Sequence, residues 1–145
     1  MSLLVITASQ VFGSGVTEKI VTVGETVTQG EVLYRQTSDG VYYKARSDVA
    51  ATAAADGIAL TAGSAGQRIV IADLELEGNL GSIDLGATLA PGMVYVISTV
   101  VSGGIMPITD MGTSAWIVVL GISDSSDNLI LDVIDPEAQT TVEYT

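Results

Sequence analysis

The chain has 145 residues, a formal net charge of −12 and neither cysteine nor histidine; 48% of its residues are hydrophobic and only 15% are charged. A mass of 14.9 kDa and a mean hydropathy of +0.50 fit one domain and are too apolar for a disordered chain. This composition excludes a disulfide framework, a thiolate nucleophile and the common zinc ligands, and the acidic charge makes nucleic acid and anionic membranes unfavourable partners.

The longest nearly unbroken apolar run, Ala115 to Ile122, is far shorter than the ~18–20 residues a spanning helix needs, so no membrane segment is expected. The surplus apolar surface is expected to be covered by other subunits. Arg68 is the last cation, and the 77 residues after it carry acidic charge only. Like charges of this kind keep an apolar chain soluble and leave room for a partner with basic patches.

At the N-terminus, MSLLVITASQ has no basic region before its short apolar run, so production and use without export by the usual route is expected. Leu3, Val5 and Thr7 alternate with Leu4, Ile6 and Ala8, which predicts a strand. Gly13-Ser14-Gly15 reads as a flexible joint behind it. Such a strand either joins its own sheet or serves as an arm on a neighbouring subunit's sheet. Lys19 to Val23 predicts a second strand, and Gly24-Glu25 and Gln29-Gly30 are turn signals.

The stretch Val23 to Ile71 carries the clearest pattern. Val32, Tyr34 and Gln36 alternate with Leu33 and Arg35, the period of a half-buried strand. Asp39-Gly40 suits the positive φ of a tight turn, and Val41 to Arg46 returns antiparallel. Ser47-Asp48 resembles a helix N-cap, and Val49 to Ala55 has the propensity for about two helical turns. Ile58 to Leu60 and Arg68 to Ile71 are expected strands around the loop Thr61 to Gln67. Asp73, Glu75 and Glu77 recur at a spacing of two, which puts them on one strand face as a solvated acidic edge or a cation site.

Further on, Ile83 to Leu85 is a short strand, and Leu89-Ala90-Pro91-Gly92 has Pro and Gly at the central positions of a type II turn. Met93 to Val101 is an apolar strand. Ser102-Gly103-Gly104 turns it into Ile105 to Ile108, which Pro107 assigns to a sheet edge. Trp116 to Ile122 is the strongest candidate for a buried strand. Asp124 to Asn128 forms a turn, and Leu129 to Ile134 is the last strand, with Asp132 facing outward. Pro136 opens a polar tail. The expectation is an all-β fold, a small barrel or sandwich of short antiparallel strands with one short helical segment and terminal arms. The segments are 1–15 as strand or arm, 16–135 as β domain and 136–145 as tail.

Little chemistry is available. Ser-His and Cys-His nucleophile pairs cannot be assembled, and an aromatic fraction of 5% is poor for a sugar cleft. Thr61 to Gln67 lacks the Lys-Ser/Thr pair of a phosphate loop. Asp124, Asp127 and Asn128 lack calcium-loop spacing. No catalytic, cofactor-binding or metal-binding residues are assigned and no cofactor is expected. The corner pattern G-x-x-V-x-x-G-x-x-x-Y with Lys44-Ala45 is similar to lipoyl and biotinyl carrier domains, but Lys44 lies four residues beyond the turn glycine instead of at a hairpin tip.

The serial order of V-x-x-G-E-T-V-T-Q-G-E-V-L-Y, D-G-V-Y-Y-K-A, G-I-A-L, A-G-Q-R-I-V-I, L-G-A-T-L-A-P-G-M-V-Y-V-I-S, G-G-I-M-P-I-T-D, V-V-L-G-I-S and L-I-L-D-V-I resembles the head decoration, or capsid cement, proteins of tailed bacteriophages. It spans Val16 to Ile134. The resemblance implies a β-rich homotrimer on the outer capsid surface of a virion, made in the host cytoplasm. There it would clamp neighbouring subunits of the major capsid protein, with no nucleic acid or membrane partner. A head fibre or tail component binding host-surface glycan is the alternative. Leu3, Leu4, Val5 and Ile6, with Val142 and Tyr144 of the tail, are the candidate contacts, because terminal extensions can reach across subunit boundaries.

Overall fold

The computed structural model describes residues 4, 6–46, 52–75, 81–98, 101–110, 116–124 and 127–138. Among them are eleven strands: β1 (Phe12–Ser14), β2 (Glu18–Thr22), β3 (Val32–Arg35), β4 (Tyr42–Lys44), β5 (Gly57–Ala59), β6 (Arg68–Asp73), β7 (Ser82–Asp84), β8 (Val94–Ile97), β9 (Ile105–Pro107), β10 (Trp116–Ser123) and β11 (Asn128–Ala138). They form a six-stranded sheet, in the order β1-β7-β11-β10-β8-β9, and a five-stranded sheet, in the order β2-β6-β5-β3-β4. Among the described residues all the strand pairs are antiparallel. This is an all-β sandwich and not a closed barrel.

The core between the sheets takes Val32 and Ile58 from one side and Ile83, Ile97, Val118, Leu120, Leu129 and Leu131 from the other. A second core lies on the opposite face of the five-stranded sheet, where Val21, Leu33, Ala59, Ile69 and Ile71 are covered by Val23 and Val27. The alternation at Val32 to Gln36 predicts a half-buried strand, yet the adjacent Val32 and Leu33 are both fully buried. Successive side chains point to opposite faces, so β3 is covered on both. The cover is the segment between β2 and β3, pinned by bridges from Val23 to Tyr42 and from Val27 to Gly63.

The hairpin at Asp39-Gly40 is present, with Leu33 opposite Lys44 and Arg35 opposite Tyr42. Its loop is longer than a two-residue turn: Gln36 N–H donates to Val41 O at 2.9 Å, and Gly40, at φ +71°, donates to Gln36 O. The Pro91-Gly92 turn closes through Met93 N–H to Ala90 O at 3.1 Å. Pro107 falls in β9, an edge strand, where a residue without an N–H is tolerated.

Four local expectations are corrected. Of the helix expected over Val49 to Ala55, residues 49–51 lie outside the described residues, and Ala53 to Ala55 are not helical. Ala53 and Ala55 are buried in the inter-sheet core with Ala54 between them less buried, so a period of two overrides alanine's helix propensity. Phe12–Ser14 is a strand paired with β7, so the glycine-rich stretch is part of a sheet and not a joint. Leu4, Ile6 and Thr7 are not in a strand. Finally, β11 runs through Pro136 to Ala138, paired with β10. Proline fits there because β7 pairs with Asn128 to Ile130, so that among the described residues the other margin of β11 has no ladder partner at that point.

Central strand β10 carries a bulge at Gly121, where its register to both β11 and β8 shifts. A Cβ at Gly121 would collide with Ile130 O and sit 2.8 Å from the carbonyl carbon behind it. Both are backbone atoms that cannot rotate away. Gly121→Ala is therefore expected to destabilise the fold by roughly 3 kcal/mol, the upper range for overpacking. Urea unfolding checks this, and a loss below about 1 kcal/mol would contradict the bulge geometry.

Candidate functional site

The densest polar arrangement joins β2, β3, β4 and the segment after β6. Arg35 forks onto Glu75, with Nε to Oε1 at 3.2 Å and the second nitrogen to Oε2 at 3.4 Å. Tyr42 donates its hydroxyl proton to Glu75 Oε1 at 3.0 Å and accepts from Lys19 Nζ at 3.2 Å. Glu75 N–H donates to Asp73 Oδ1 at 3.0 Å, a local turn that swings Glu75 toward its partners. Asp73 and Glu75 thus form no sheet edge: β6 lies between β2 and β5, and Glu75 has left the strand. Glu77 lies outside the described residues.

Chemically the cluster is a brace. Burial raises the Tyr42 phenol above its ordinary value against the opposing pull of Lys19, so it keeps its proton at neutral pH and is no base. Lys19 is raised by its hydrogen bond to Tyr42, so it stays an ammonium. Glu75 is occupied by two donors. The adjacent Asp56 is half-buried; desolvation raises its carboxyl above the usual range, partly offset by the Arg35 N–H it accepts at 2.8 Å.

A groove of about 270 Å³ lies between the sheet margins, lined by Val11, Phe12, Gly13, Glu18, Leu60, Thr61 and Val70. Glu18 is its one ionisable lining residue. Alternation puts Glu18 on the face of β2 opposite Lys19, so the groove and the brace lie on opposite faces of the sheet.

In the loop from Thr61 to Gln67 most of the amides that a phosphate cradle would use are engaged. Gly63 donates to Val27 O, Gly66 to Val23 O and Gln67 to Ser64 O, while Ser64 donates to the Gln67 side chain. Asp124 serves its turn, accepting from Asn128 N–H at 3.0 Å, and Asp127 ties that turn to a distant segment, accepting from Leu89 N–H at 3.0 Å. Among the described residues no cluster of three acidic side chains could hold a metal ion. Lys44 sits in β4, 4.0 Å from Glu31 Oε2, and not at the hairpin tip.

Of the expected contact residues, Leu3, Val5, Val142 and Tyr144 lie outside the described residues. Leu4 and Ile6 are half-buried against the inter-sheet core of their own chain, and Leu4 N–H donates to Ile105 O at 2.9 Å. The exposed apolar side chains lie elsewhere. Ile122 and Ile130, 46% and 45% exposed, face each other across β10 and β11, with Val94 next to Ile122 on β8. They form one apolar rung on the outer face of the six-stranded sheet. The sequence signal for it is Leu129-Ile130-Leu131, an apolar run in which the outward position is as apolar as its neighbours. Phe12 and Ile20 are 69% and 65% exposed on β1 and β2.

The Asp56 carboxyl has a pH consequence with a definite sign. Its folded value is raised, so the folded chain holds this proton to higher pH than the unfolded chain does. The group's contribution is therefore greatest below the ordinary carboxylate value and declines as pH rises through the folded value. Asp56→Asn keeps an oxygen for the Arg35 N–H and is expected to flatten that decline without loss of stability at neutral pH. Asp56→Leu leaves the donor unmet and is expected to cost about 1–3 kcal/mol. Thermal melts of both variants between about pH 3 and pH 8 check this, and a steeper decline in the Asn variant would contradict it.

No protein-family model, no curated protein and no solved structure matches the chain.

Proposed function

We propose that this chain is a viral structural protein, a decoration or cement protein that binds the outside of a tailed-phage head as a homotrimer and holds neighbouring major capsid subunits together. The observation that carries the reading is the apolar rung Val94–Ile122–Ile130 on the outer face of the six-stranded sheet, its two isoleucines exposed and Val94 half-buried beside them, in a chain of net charge −12. An acidic chain with a localised apolar face favours apolar association with a few defined partners over contact with phosphate-rich ones. The serial resemblance from Val16 to Ile134 supplies the class of partner.

The mechanism is mass action. A protein that binds the assembled shell and not its separated subunits stabilises the shell by its binding free energy. Three copies around one axis hold on together, so each contact can be weak. In the trimer the rung packs against a sibling copy, which removes two half-exposed isoleucines per chain from water.

Ile122→Thr combined with Ile130→Thr retains β-propensity at two solvent-facing positions, so the fold is expected to persist. Each fully buried isoleucine contributes about 1.5–3 kcal/mol, so the double variant is expected to bind heads at least about tenfold more weakly. Co-sedimentation with phage heads stripped of their decoration protein measures this. Failure of the unaltered chain to co-sediment would overturn the reading. Cryo-electron microscopy that placed it on the tail would favour the fibre or tail alternative.

A further inference from the structure

The chain treats its four marginal strands differently. At β9, Ile105 C=O accepts from Leu4 N–H at 2.9 Å and Pro107 has no N–H to offer. At β4, Tyr42 C=O accepts from Gly24 N–H at 3.0 Å, and Lys44 N–H donates to Glu25 Oε2 at 2.9 Å. β1 is only three residues long, with Gly13 at its centre. β2 is the exception.

Its ladder to β6 is flanked by hydrogen bonds on odd-numbered residues, Asp73 N–H to Thr17 O at 2.8 Å and Val23 N–H to Gln67 O at 3.0 Å. Alternate residues of an antiparallel strand turn their N–H and C=O to opposite sides. Glu18, Ile20 and Thr22 therefore aim theirs away from β6, and among the described residues none of these groups meets a partner outside the sheet. At the centre of this open margin sits Ile20, 65% exposed.

The geometry points to β2 as the seam of a two-fold contact with a second copy of this chain, the two strands running antiparallel and centred on Ile20. The register follows from parity. Pairing Ile20 with its symmetry mate, and Glu18 with the mate's Thr22, matches every outward N–H with an outward C=O over the whole strand.

The side chains fit the same operation. On the face that carries Ile20, β6 places Arg68 beside Thr22, Val70 beside Ile20 and Ala72 beside Glu18. Across the seam the central rung becomes Val70–Ile20–Ile20–Val70, wholly apolar. The flanking rungs become Arg68–Thr22–Glu18–Ala72, with the arginine of one copy and the glutamate of the other about 10 Å apart at Cα, two strand spacings. Both side chains are long enough to meet over the threonine. Arg68 is exposed, so the contact joins opposite charges in copies that repel overall. This contact uses a different surface from the rung on the six-stranded sheet and does not depend on the capsid reading. Combined with a threefold axis it would link trimers pairwise.

Because the chain has no cysteine, Ile20→Cys gives a single thiol that meets its own mate at a Cα separation of about 5.5 Å, within disulfide reach. Under mild oxidation it is expected to form a covalent dimer about tenfold faster than Ser38→Cys, an exposed position in the hairpin loop next to β4, at the opposite margin of the sheet. Ile20→Pro removes an outward N–H without touching the β6 ladder, so it is expected to fold and to lose the concentration-dependent protection of the Glu18 and Thr22 amides in hydrogen exchange. Equal cross-linking rates at the two cysteine positions would overturn the proposal. So would amides that exchange freely in the isolated protein at all concentrations and become protected only on a phage head, which would assign the margin to a strand of another protein.

Discussion

Val27 is fully buried on the outer face of the five-stranded sheet, where its N–H donates to Gly63 O at 2.9 Å and its C=O accepts from Gly63 N–H at 3.0 Å. Val23 holds the same segment at its other end, donating to Gln67 O at 3.0 Å and accepting from Gly66 N–H at 2.7 Å. This double clamp draws the link between β2 and β3 across the sheet and gives a small sandwich a second core. Burial of the two valines contributes about 1.5–3 kcal/mol each. Without the clamp, Leu33, Ile69 and Ile71 would face water, and the sheet would be a single apolar layer with one wet side.

The clamp also decides which surfaces remain. It brings Gly24 and Glu25 against the margin of β4 and closes it, while Leu4 closes β9 in the same way. Once the chain's own segments have occupied those two margins, the large apolar side chains left exposed among the described residues are Phe12 on β1, Ile20 on the β2 margin, Val101 before β9, and Ile122 and Ile130 of the outer rung. Arg35, Tyr42 and Glu75 are used in bracing, and Asp124 and Asp127 in holding loop backbone. The molecule's resources for interaction are therefore apolar surface and free backbone. These are the features on which the proposed assembly with other chains is built.

Features governed by local chemistry were legible in the sequence. Asp39-Gly40 and Pro91-Gly92 mark turns because positive φ and fixed φ are local demands, and Pro107 marks an edge because a missing N–H is a local fact. Features set by distant partners were not. The alanines after Ser47 have helical propensity, but the inter-sheet core takes Ala53 and Ala55 and forces an extended course. Asp73 and Glu75 alternate like a strand face, yet Glu75 leaves the strand to meet Arg35, forty residues away in sequence. Gly13 and Pro136 read as breaks and instead sit in strands, because what they lack is not required where they pair. The Ile20 margin was invisible for the same reason: that a strand lies unprotected at an edge is a property of the sheet order, not of the five residues Glu18 to Thr22.

The account rests on apolar surface that the folded chain leaves open, and on the proposal that further copies cover it. The most direct test is the mass of the purified chain in solution, by light scattering coupled to size-exclusion chromatography over a range of concentrations. The account predicts three times the 14.9 kDa of one chain, or a higher multiple of three copies where trimers pair. A chain that remains at 14.9 kDa at every concentration, with Ile122 and Ile130 freely hydrated, would contradict it.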